Sequence, residues 1–244
     1  MPEIRVENLF FTYPNRFRKK GERALNGFSA VFEGGKFNVI IGSSGAGKTT
    51  LLRILLGLEE KYQGGIAFGG VNADKIPAGE REIGYVSQEL ALYPRYTIFQ
   101  NLAFPLRNVG ADDDEIRSRV FHYAERLGIK ELLSRKPKEL SVGQNQRVAI
   151  ARALIREPRY CFFDEPFSNL DQAHAKKIQG DLKRIFQERD TTILYVTHSI
   201  PEAIALADHL YLMEEGKLLL DGSAQEVFGS PDPAVQAYFQ ELRK

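Results

Sequence analysis

Eight consecutive residues near the start of the chain carry the most specific chemical signal. The run Gly42-Ser43-Ser44-Gly45-Ala46-Gly47-Lys48-Thr49, here called the phosphate loop, matches the pattern G-x-x-x-x-G-K-[ST]. Glycines let such a backbone wrap around phosphate oxygens, while the Lys48 ammonium suits the β- and γ-phosphates and the Thr49 hydroxyl suits Mg²⁺. The candidate nucleotide-binding residues here are Gly42, Ser43, Ser44, Gly45, Ala46, Gly47, Lys48, Thr49 and Thr50. An ordinary glycine turn is the structural alternative, and the motif alone leaves kinase, GTPase and motor functions open.

Two adjacent acids follow an apolar run much further along the chain. Asp164 and Glu165 come directly after Tyr160-Cys161-Phe162-Phe163. A buried strand ending there would direct the Asp164 carboxylate toward Mg²⁺. It would direct Glu165, as general base, toward the water that attacks the γ-phosphate. The alternative is an exposed strand end with solvated acids. Cys161 is then a small buried residue and not a nucleophile.

The elements that must position these residues alternate between strand and helix. Apolar runs predict strands at Phe37–Ile41, Tyr160–Asp164 and Thr192–Thr197. A helix from Lys48 has one apolar face, formed by Leu51, Leu52, Leu55 and Leu58. The alternation predicts an α/β fold whose mostly parallel sheet lies between helices and binds ligands at the carboxyl ends of its strands.

Residues 89–157 differ from the rest of the chain, because they show helical periodicity and little strand signal. The acidic triplet that begins at Asp112 complements the N-terminus of one predicted helix, which ends at Gly128. We therefore predict a single domain over residues 1–244, with an inserted helical subdomain at 89–157 and a catalytic core formed by 1–88 and 158–244.

Composition excludes several classes of protein. Lys and Arg number 33 and Asp and Glu 32, a formal charge of +1 that offers no global basic field for nucleic acid. A single cysteine excludes a disulfide framework or a cysteine-built zinc site. No apolar run is long enough for a membrane span, and the N-terminus does not look like a signal peptide, so we expect a cytoplasmic location. The basic residues Arg16, Arg18, Lys19, Lys20 and Arg23 are interpreted as a solvated connection.

One further motif makes a family resemblance specific. Leu140-Ser141-Val142-Gly143-Gln144-Asn145-Gln146-Arg147 resembles the signature of ABC-type ATPases, and it precedes Asp164 by the spacing that family shows. The resemblance implies a P-loop NTPase fold of ABC type: a mixed or parallel sheet core, an N-terminal antiparallel β-subdomain and an inserted helical subdomain. It also implies that Ser141, Gly143 and Gln144 bind nucleotide, with Ser141 and Gly143 facing the γ-phosphate of ATP held by a second copy.

Four other residues match family positions. Tyr13 looks like the aromatic residue that stacks on adenine, and Gln88 resembles the glutamine that touches Mg²⁺ or water. Asp171 ends the run 168–171, which resembles the loop that crosses to the partner's nucleotide site, and His198 resembles the histidine that contacts the γ-phosphate. Each has a structural alternative: Tyr13 could be a buried strand tyrosine and Gln88 a polar loop residue. Asp171 could merely cap the next helix, and His198 could be a residue at a strand-to-helix junction. The resemblance thus implies catalytic roles for Glu165, His198, Lys48 and Gln88, and metal ligation by Thr49, Gln88 and Asp164.

Val142 departs from the family pattern, which usually has glycine at that position. A β-branched residue narrows backbone freedom there. We expect catalysis to survive, because Ser141, Gly143 and Gln144 are retained. A hundredfold gain in single-turnover hydrolysis on Val142→Gly would contradict this expectation.

The resemblance implies an ATP- and Mg²⁺-dependent ATPase subunit of a membrane transporter. Two copies, identical or from different chains, would close over ATP and drive permease subunits from the inner face of the cell membrane. The residues 92–106 look most like those of bacterial importers, which extends the expected partners to a substrate-binding protein. Nucleic acid is not an expected partner, because the net charge of +1 offers no basic field for it. Many sugar-type subunits append a regulatory domain, so an end at Lys244 is expected to weaken a sugar assignment.

Three alternatives remain open at this point. The chain could be the ATPase subunit of an exporter, which differs from an importer subunit in the direction of transport. A soluble ABC ATPase could act on DNA or on ribosomes. Members of DNA repair have a long coiled coil between the positions of Lys48 and Ser141, where no sustained heptads occur here. Translation-type members carry two ATPase units in one chain, whereas this sequence shows one. A non-hydrolysing regulatory module is disfavoured by the presence of Glu165 and His198.

Overall fold

The computed structural model describes residues 2–13, 23–187 and 190–241 of the chain. The predicted solvated connection falls largely outside the described residues, because only Arg23 of its five basic residues is included. The described part divides into two compact units. The first comprises the residues up to Ile83 and those from Asp190 onward, and the second runs from Gly84 to the gap at residues 188–189.

Ten strands and eight α-helices are found within the described residues. The strands are β1 (Ile4–Phe11), β2 (Leu25–Phe32), β3 (Phe37–Ile41), β4 (Gln63–Phe68), β5 (Val71–Asn72), β6 (Ile83–Val86), β7 (Tyr160–Asp164), β8 (Thr192–Thr197), β9 (His209–Glu214) and β10 (Lys217–Gly222). The helices are α1 (Lys48–Leu55), α2 (Ile98–Arg107), α3 (Asp113–Arg126), α4 (Val142–Leu154), α5 (Gln172–Gln187), α6 (Ile200–Leu206), α7 (Ala224–Phe228) and α8 (Pro233–Glu241). The three predicted core strands, β3, β7 and β8, are confirmed with the predicted bounds. As far as the structure describes these helices, none has the length and apolar character needed to cross a bilayer.

Two sheets organise the first unit. β1 pairs antiparallel with β2 and β4, and β4 pairs antiparallel with β5, which gives the order β2-β1-β4-β5. In the other sheet β3 lies between β8 and β9 and is parallel to both, while β10 pairs antiparallel with β9. The expected α/β fold, with an N-terminal antiparallel part and a mixed sheet, is therefore confirmed.

β3 and β8 run in step and end at the same edge of their sheet. Phe37 pairs with Ile193 and Ile41 pairs with Thr197. Every residue of both strands is buried, as expected for a parallel sheet covered by helices, and α6 packs against both strands. The chain segments that follow Ile41 and Thr197 consequently leave the sheet side by side.

α1 is shorter than its apolar pattern predicts. The helix ends at Leu55, and Gly57, with φ of +76°, turns the chain away. The side chain of Leu58 is 56% exposed, so its predicted place on the apolar face is wrong. The Gly57 N–H donates to Ile54 O and the Leu58 N–H to Arg53 O, which satisfies the last carbonyls of the helix.

The second unit is mainly helical. β6 and β7 are hydrogen-bonded neighbours there, and α2, α3 and α4 pack against one another. Asp112 caps α3, accepting from the Glu115 N–H at 2.8 Å, so the acidic triplet begins this helix as predicted. Residues 89–157 contain helices and turns without a strand, whereas the proposed domain boundaries stay a prediction.

Candidate nucleotide-binding site

The phosphate loop joins β3 to α1 through two glycines in the left-handed conformation. Gly45 and Gly47 have φ values of +87° and +104°, a region that residues with a side chain rarely adopt. A Cβ atom on Gly42 would lie 2.2 Å from Met213 O, and one on Gly47 would lie 2.4 Å from Ala24 O. The loop path therefore requires glycine at positions 42 and 47 for space, and at position 47 for conformation as well.

Lys48 is the first residue of α1, and its side chain spans the loop. The residue is only 5% exposed, and its Nζ donates to Gly42 O and Ser43 O, each at 2.8 Å. The first turn of α1 contains no acid that would neutralise the partial positive charge of the helix N-terminus. The loop thus combines an ammonium group, a helix N-terminus and closely wrapped backbone, which fits a di- or triphosphate.

The turn between β9 and β10 braces the phosphate loop. The Ser43 hydroxyl donates to Glu214 Oε1 at 2.5 Å, and the Ser43 backbone N–H donates to Glu214 Oε2 at 3.3 Å. The Gly216 N–H donates to Ala46 O at 2.9 Å. These bonds, together with the approach of Met213 O to Gly42, fix the loop against a strand far away in the sequence.

Tyr13 lies two residues beyond β1 and is tied to the start of α1. Its Oη is 3.2 Å from Thr50 Oγ1, and Thr50 is itself buried. The Phe11 ring meets the Tyr13 ring edge-on, with centroids 4.9 Å apart. The half-buried Tyr13 ring is therefore held beside the helix that carries Lys48 and Thr49.

His198 follows β8 directly and is exposed. Glu202 organises the turn beneath it, accepting from Tyr195 Oη at 2.6 Å and from Thr197 Oγ1 at 3.0 Å. The Ser199 N–H donates to Thr197 Oγ1, and Ser199 caps α6. Since β3 and β8 end together, His198 and the phosphate loop emerge at the same edge of the first unit's sheet.

The two predicted acids lie at the end of β7, in the second unit. All five residues of β7 are buried, Asp164 is 4% exposed, and Tyr85 Oη donates to Asp164 Oδ2 at 3.4 Å. Glu165 has φ of +45°, an unfavourable conformation for a residue with a side chain. Such strain is concentrated at functional sites, because surrounding structure must stabilise it.

Ser141 and Gln144 form a capping box at the N-terminus of α4. The Ser141 hydroxyl accepts from the Gln144 N–H at 3.3 Å, and Gln144 Oε1 accepts from the Ser141 N–H at 2.9 Å. Val142 is the first helical residue and is 53% exposed. A Cβ atom on Gly143 would lie at 3.8 Å from Leu170 Cδ2, so this helix end adjoins the loop that carries Asp171.

Asp171 caps α5. Its Oδ1 accepts from the Ala173 and His174 N–H groups at 3.1 and 3.0 Å, and its Oδ2 lies 2.6 Å from His174 Nδ1. Hydrogen bonds from the backbone and side chain of His174 lower the pKa of the Asp171 carboxyl, which favours its ionised form. The capping role weighed for Asp171 is present, and its role toward a partner stays a prediction.

Gln88 is exposed in the loop that follows β6. The next residues include Leu90 and Ala91, with φ values of +59° and +46°. Arg152 of α4 contacts both: its Nη1 donates to Ala91 O and its Nη2 to Leu90 O, each at 2.8 Å. Burial lowers the pKa of this guanidinium, which lies over the Tyr93 ring at 5.6 Å.

The predicted site residues are divided between the two units. The first unit holds the phosphate loop, Thr50, Tyr13 and His198, while the second holds Gln88, residues 141–144, Asp164, Glu165 and Asp171. The donor set proposed for Mg²⁺ consists of a hydroxyl, an amide oxygen and a carboxylate, which are the hard oxygen ligands that this ion prefers. Thr49, Gln88 and Asp164 stay the predicted ligands, and a bound ion would neutralise phosphate charge.

Sequence reasoning missed Glu214 and Arg152. A signal existed for Glu214, because it ends an apolar strand as Asp164 does. Arg152 offered no comparable signal, because it is one of many arginines on helices and its partners are backbone carbonyls.

Comparison with known proteins decides the family. The family model described as ABC transporter matches residues 25–168, more than half of the chain. This chain belongs to the ABC transporter family. The resemblance inferred from the signature motif is thereby confirmed.

Three characterised members of the ABC transporter family are similar over most of this chain. The spermidine/putrescine import ATP-binding protein PotA of Haemophilus influenzae is 41% identical over 88% of this chain and 58% of its own length. The sn-glycerol-3-phosphate import ATP-binding protein UgpC of Rhodopseudomonas palustris is 40% identical over 98% and 65%. The osmoprotective compounds uptake ATP-binding protein GgtA of Synechocystis is 41% identical over 85% and 57%. The chain thus spans roughly three fifths of the length of these ABC relatives.

Solved structures agree with the ABC family assignment. A dimeric, post-hydrolysis state of the ATP-binding cassette MJ0796, bound to ADP and Pi, has a TM-score of 0.79 and 28% identity. The match covers 91% of this chain and 98% of that one. A dimeric structure of MJ0796, described as a bacterial ABC transporter cassette, has a TM-score of 0.80. The ABC cassette fold is therefore present.

Proposed function

We propose that this chain binds and hydrolyses ATP and that it powers a membrane ABC transporter. The phosphate loop carries the proposal, because its left-handed glycines and the buried Lys48 ammonium form a phosphate-binding structure at the carboxyl end of a parallel strand. ATP is the nucleotide that fits an ABC cassette. The transported substrate is not assigned, because specificity in such systems lies outside the ATPase.

The proposed catalytic roles follow the chemistry of each group. Lys48 contacts the β- and γ-phosphates, and Glu165 accepts a proton from the attacking water. His198 contacts the γ-phosphate, and Gln88 positions water or metal. The strained φ of Glu165 and the burial of Asp164 at the end of β7 support their assignment as functional groups.

We infer import as the direction of transport. PotA, UgpC and GgtA are named as import or uptake proteins, and each is about 40% identical to this chain. The proposed partners are a second ATPase subunit, integral membrane permease subunits and a substrate-binding protein. The chain would then work at the inner face of the cell membrane.

The decisive experiment measures ATP turnover with Mg²⁺ for the parent protein and for Glu165→Gln. Removal of the general base should lower kcat by about 10²- to 10⁴-fold, while ATP binding is retained. Glu157→Gln is the matched control, because Glu157 also has a left-handed conformation, with φ of +53°, and has no proposed catalytic role. Equal turnover in Glu165→Gln and the parent would remove Glu165 from catalysis, and a parent without turnover would contradict the proposed activity.

The transport part of the proposal needs a separate test. A tagged chain expressed from its native locus should copurify from detergent-solubilised membranes with an integral membrane protein. Its ATP turnover in that complex should respond to the substrate of the partner. Recovery of the chain only from the soluble fraction, with no membrane partner, would contradict it.

A further inference from the structure

The turn that follows Gln88 holds two consecutive residues in an unfavourable backbone conformation. Leu90 and Ala91 have φ values of +59° and +46°, although neither is glycine. Left-handed geometry is disfavoured for both side chains, and it persists only where the surroundings stabilise it. Within the turn, the Leu90 N–H donates to Ser87 O at 3.0 Å and the Ala91 N–H donates to Glu89 O at 2.7 Å.

One side chain compensates for both strained residues. The Arg152 guanidinium donates to Leu90 O and Ala91 O, each at 2.8 Å, and the two bonds come from its two terminal nitrogens. The planar guanidinium presents a separate nitrogen to each of the two adjacent carbonyls. Arg152 is half-buried, so water competes less for these bonds than it would at a fully exposed side chain.

Arg152 also joins parts of the second unit that the proposed function uses. It lies on α4, whose N-terminus carries Ser141 and Gly143. Its charged group lies over the Tyr93 ring at 5.6 Å, and Tyr93 packs on Tyr96 and Phe104 with ring centroids 5.4 and 4.7 Å away. The loop that begins at Gln88 is thus held to the helix at its strained turn and again at an aromatic cluster.

We propose that Arg152 is the positioning residue for Gln88. By holding Leu90 and Ala91 in the left-handed conformation, it sets the path of the loop and hence the place from which Gln88 acts. This role requires no contact between Arg152 and the nucleotide. The expected effect on catalysis rests on the proposed ATPase function. The strained turn and the two hydrogen bonds from Arg152 that hold it, here called the clamp, are observed in the structure.

The first test compares Arg152→Met with the parent in the full chain. A misplaced Gln88 should lower kcat for MgATP by about 10- to 100-fold, because small displacements of catalytic groups are costly. KM should change little, since Lys48 and Tyr13 belong to the other unit. Arg119→Met is the matched control: Arg119 also donates to a carbonyl, Ile155 O at 3.3 Å, and forms an ion pair with Glu115, away from the Gln88 loop. Equal losses of kcat in the two variants would overturn the proposal.

The second test relieves the strain directly. Glycine adopts the left-handed region without cost, so adding Leu90→Gly and Ala91→Gly to Arg152→Met should recover kcat by about fivefold or more. A residue needed only for packing would show no such rescue. A triple variant as slow as Arg152→Met would therefore overturn the positioning role.

A third measurement is independent of ATP turnover. A double-mutant cycle compares the parent, Arg152→Met, the variant with Leu90→Gly and Ala91→Gly, and the triple variant. In urea unfolding, Arg152→Met should shift the midpoint less when both glycines are present than in the parent. Equal shifts in both backgrounds would show that Arg152 does not stabilise the strained turn. If the parent fails to hydrolyse ATP, the proposed function fails, while this cycle still decides whether the clamp exists.

Discussion

At the scale of single residues, Glu214 shows how an acid can fix the phosphate loop through hydrogen bonds to Ser43. Its carboxylate accepts both the hydroxyl and the backbone N–H of Ser43. Tyr238 of α8 lies near enough for the Glu214 charge to contribute to raising the pKa of the phenol, after the larger effect of burial. Glu214 therefore acts by fixing the second residue of the loop.

Removal of the Glu214 carboxylate should weaken nucleotide binding more than it slows chemistry. Glu214→Ala leaves the Ser43 donors without this acceptor, and a lost hydrogen bond to a charged group is worth about 1.5–3 kcal/mol, or at least about tenfold in KM for ATP. Glu214→Gln, which keeps an acceptor oxygen, should lose less. Glu215→Gln, at the exposed neighbouring residue, is the control in the same turn. A KM unchanged in Glu214→Ala would show that the bond does not order the loop.

At the scale of elements, α2 and α4 begin with the same capping motif but are predicted to have different roles. α2 has a capping box of Thr97 and Gln100, and α4 has one of Ser141 and Gln144. Each box satisfies two backbone N–H groups that the helix leaves without a partner. Of these two capping boxes, only the one on α4 lies in the signature motif. Substitutions in the two boxes can therefore separate an effect on stability from an effect on ATP turnover.

Thr97→Ala and Ser141→Ala should each lower the free energy of unfolding by about 1 kcal/mol, because each removes an N-cap acceptor. Only Ser141→Ala should also lower kcat, since the proposal assigns that hydroxyl to the nucleotide held by a second copy. Chemical denaturation and steady-state ATP turnover measure the two effects. A Ser141→Ala protein with the turnover of Thr97→Ala would restrict Ser141 to capping.

At the scale of the whole molecule, the proposed catalytic groups are shared between two units. Lys48 and His198 belong to the first, and Glu165, Gln88 and Ser141 belong to the second. A net charge of +1 leaves no strong long-range repulsion between copies of the chain. MJ0796, which is similar over 91% of this chain, has been solved as a dimer.

Glu165→Gln should form a stable dimer when ATP is added, because bound ATP then persists between two copies. Size-exclusion chromatography with light scattering should show twice the protomer mass with MgATP and the protomer mass without nucleotide. Adding Ser141→Ala should weaken the dimer, whereas adding Thr97→Ala should not. A monomer at all ATP concentrations, also in the presence of membrane subunits, would contradict closure around ATP.

Local patterns predicted much of the fold and of the candidate site. Three strands can be recognised in the sequence because fully buried strands are continuous apolar runs: Phe37–Ile41, Tyr160–Asp164 and Thr192–Thr197. Leu58 was misassigned to the face of α1, because periodicity does not register that Gly57 has already ended the helix. The conformational strain at Glu165 was likewise invisible, since residue type gives no φ.

The sequence by itself determined the phosphate chemistry and the family, because a phosphate loop and a signature motif are each complete within a few consecutive residues. Only the tertiary structure decided which distant groups support those motifs. Glu214 lies 171 positions from Ser43, and Arg152 lies 62 positions from Leu90. Such contacts depend on how strands and helices pack. Residues so far apart in the sequence give no indication that they will be neighbours in the folded chain.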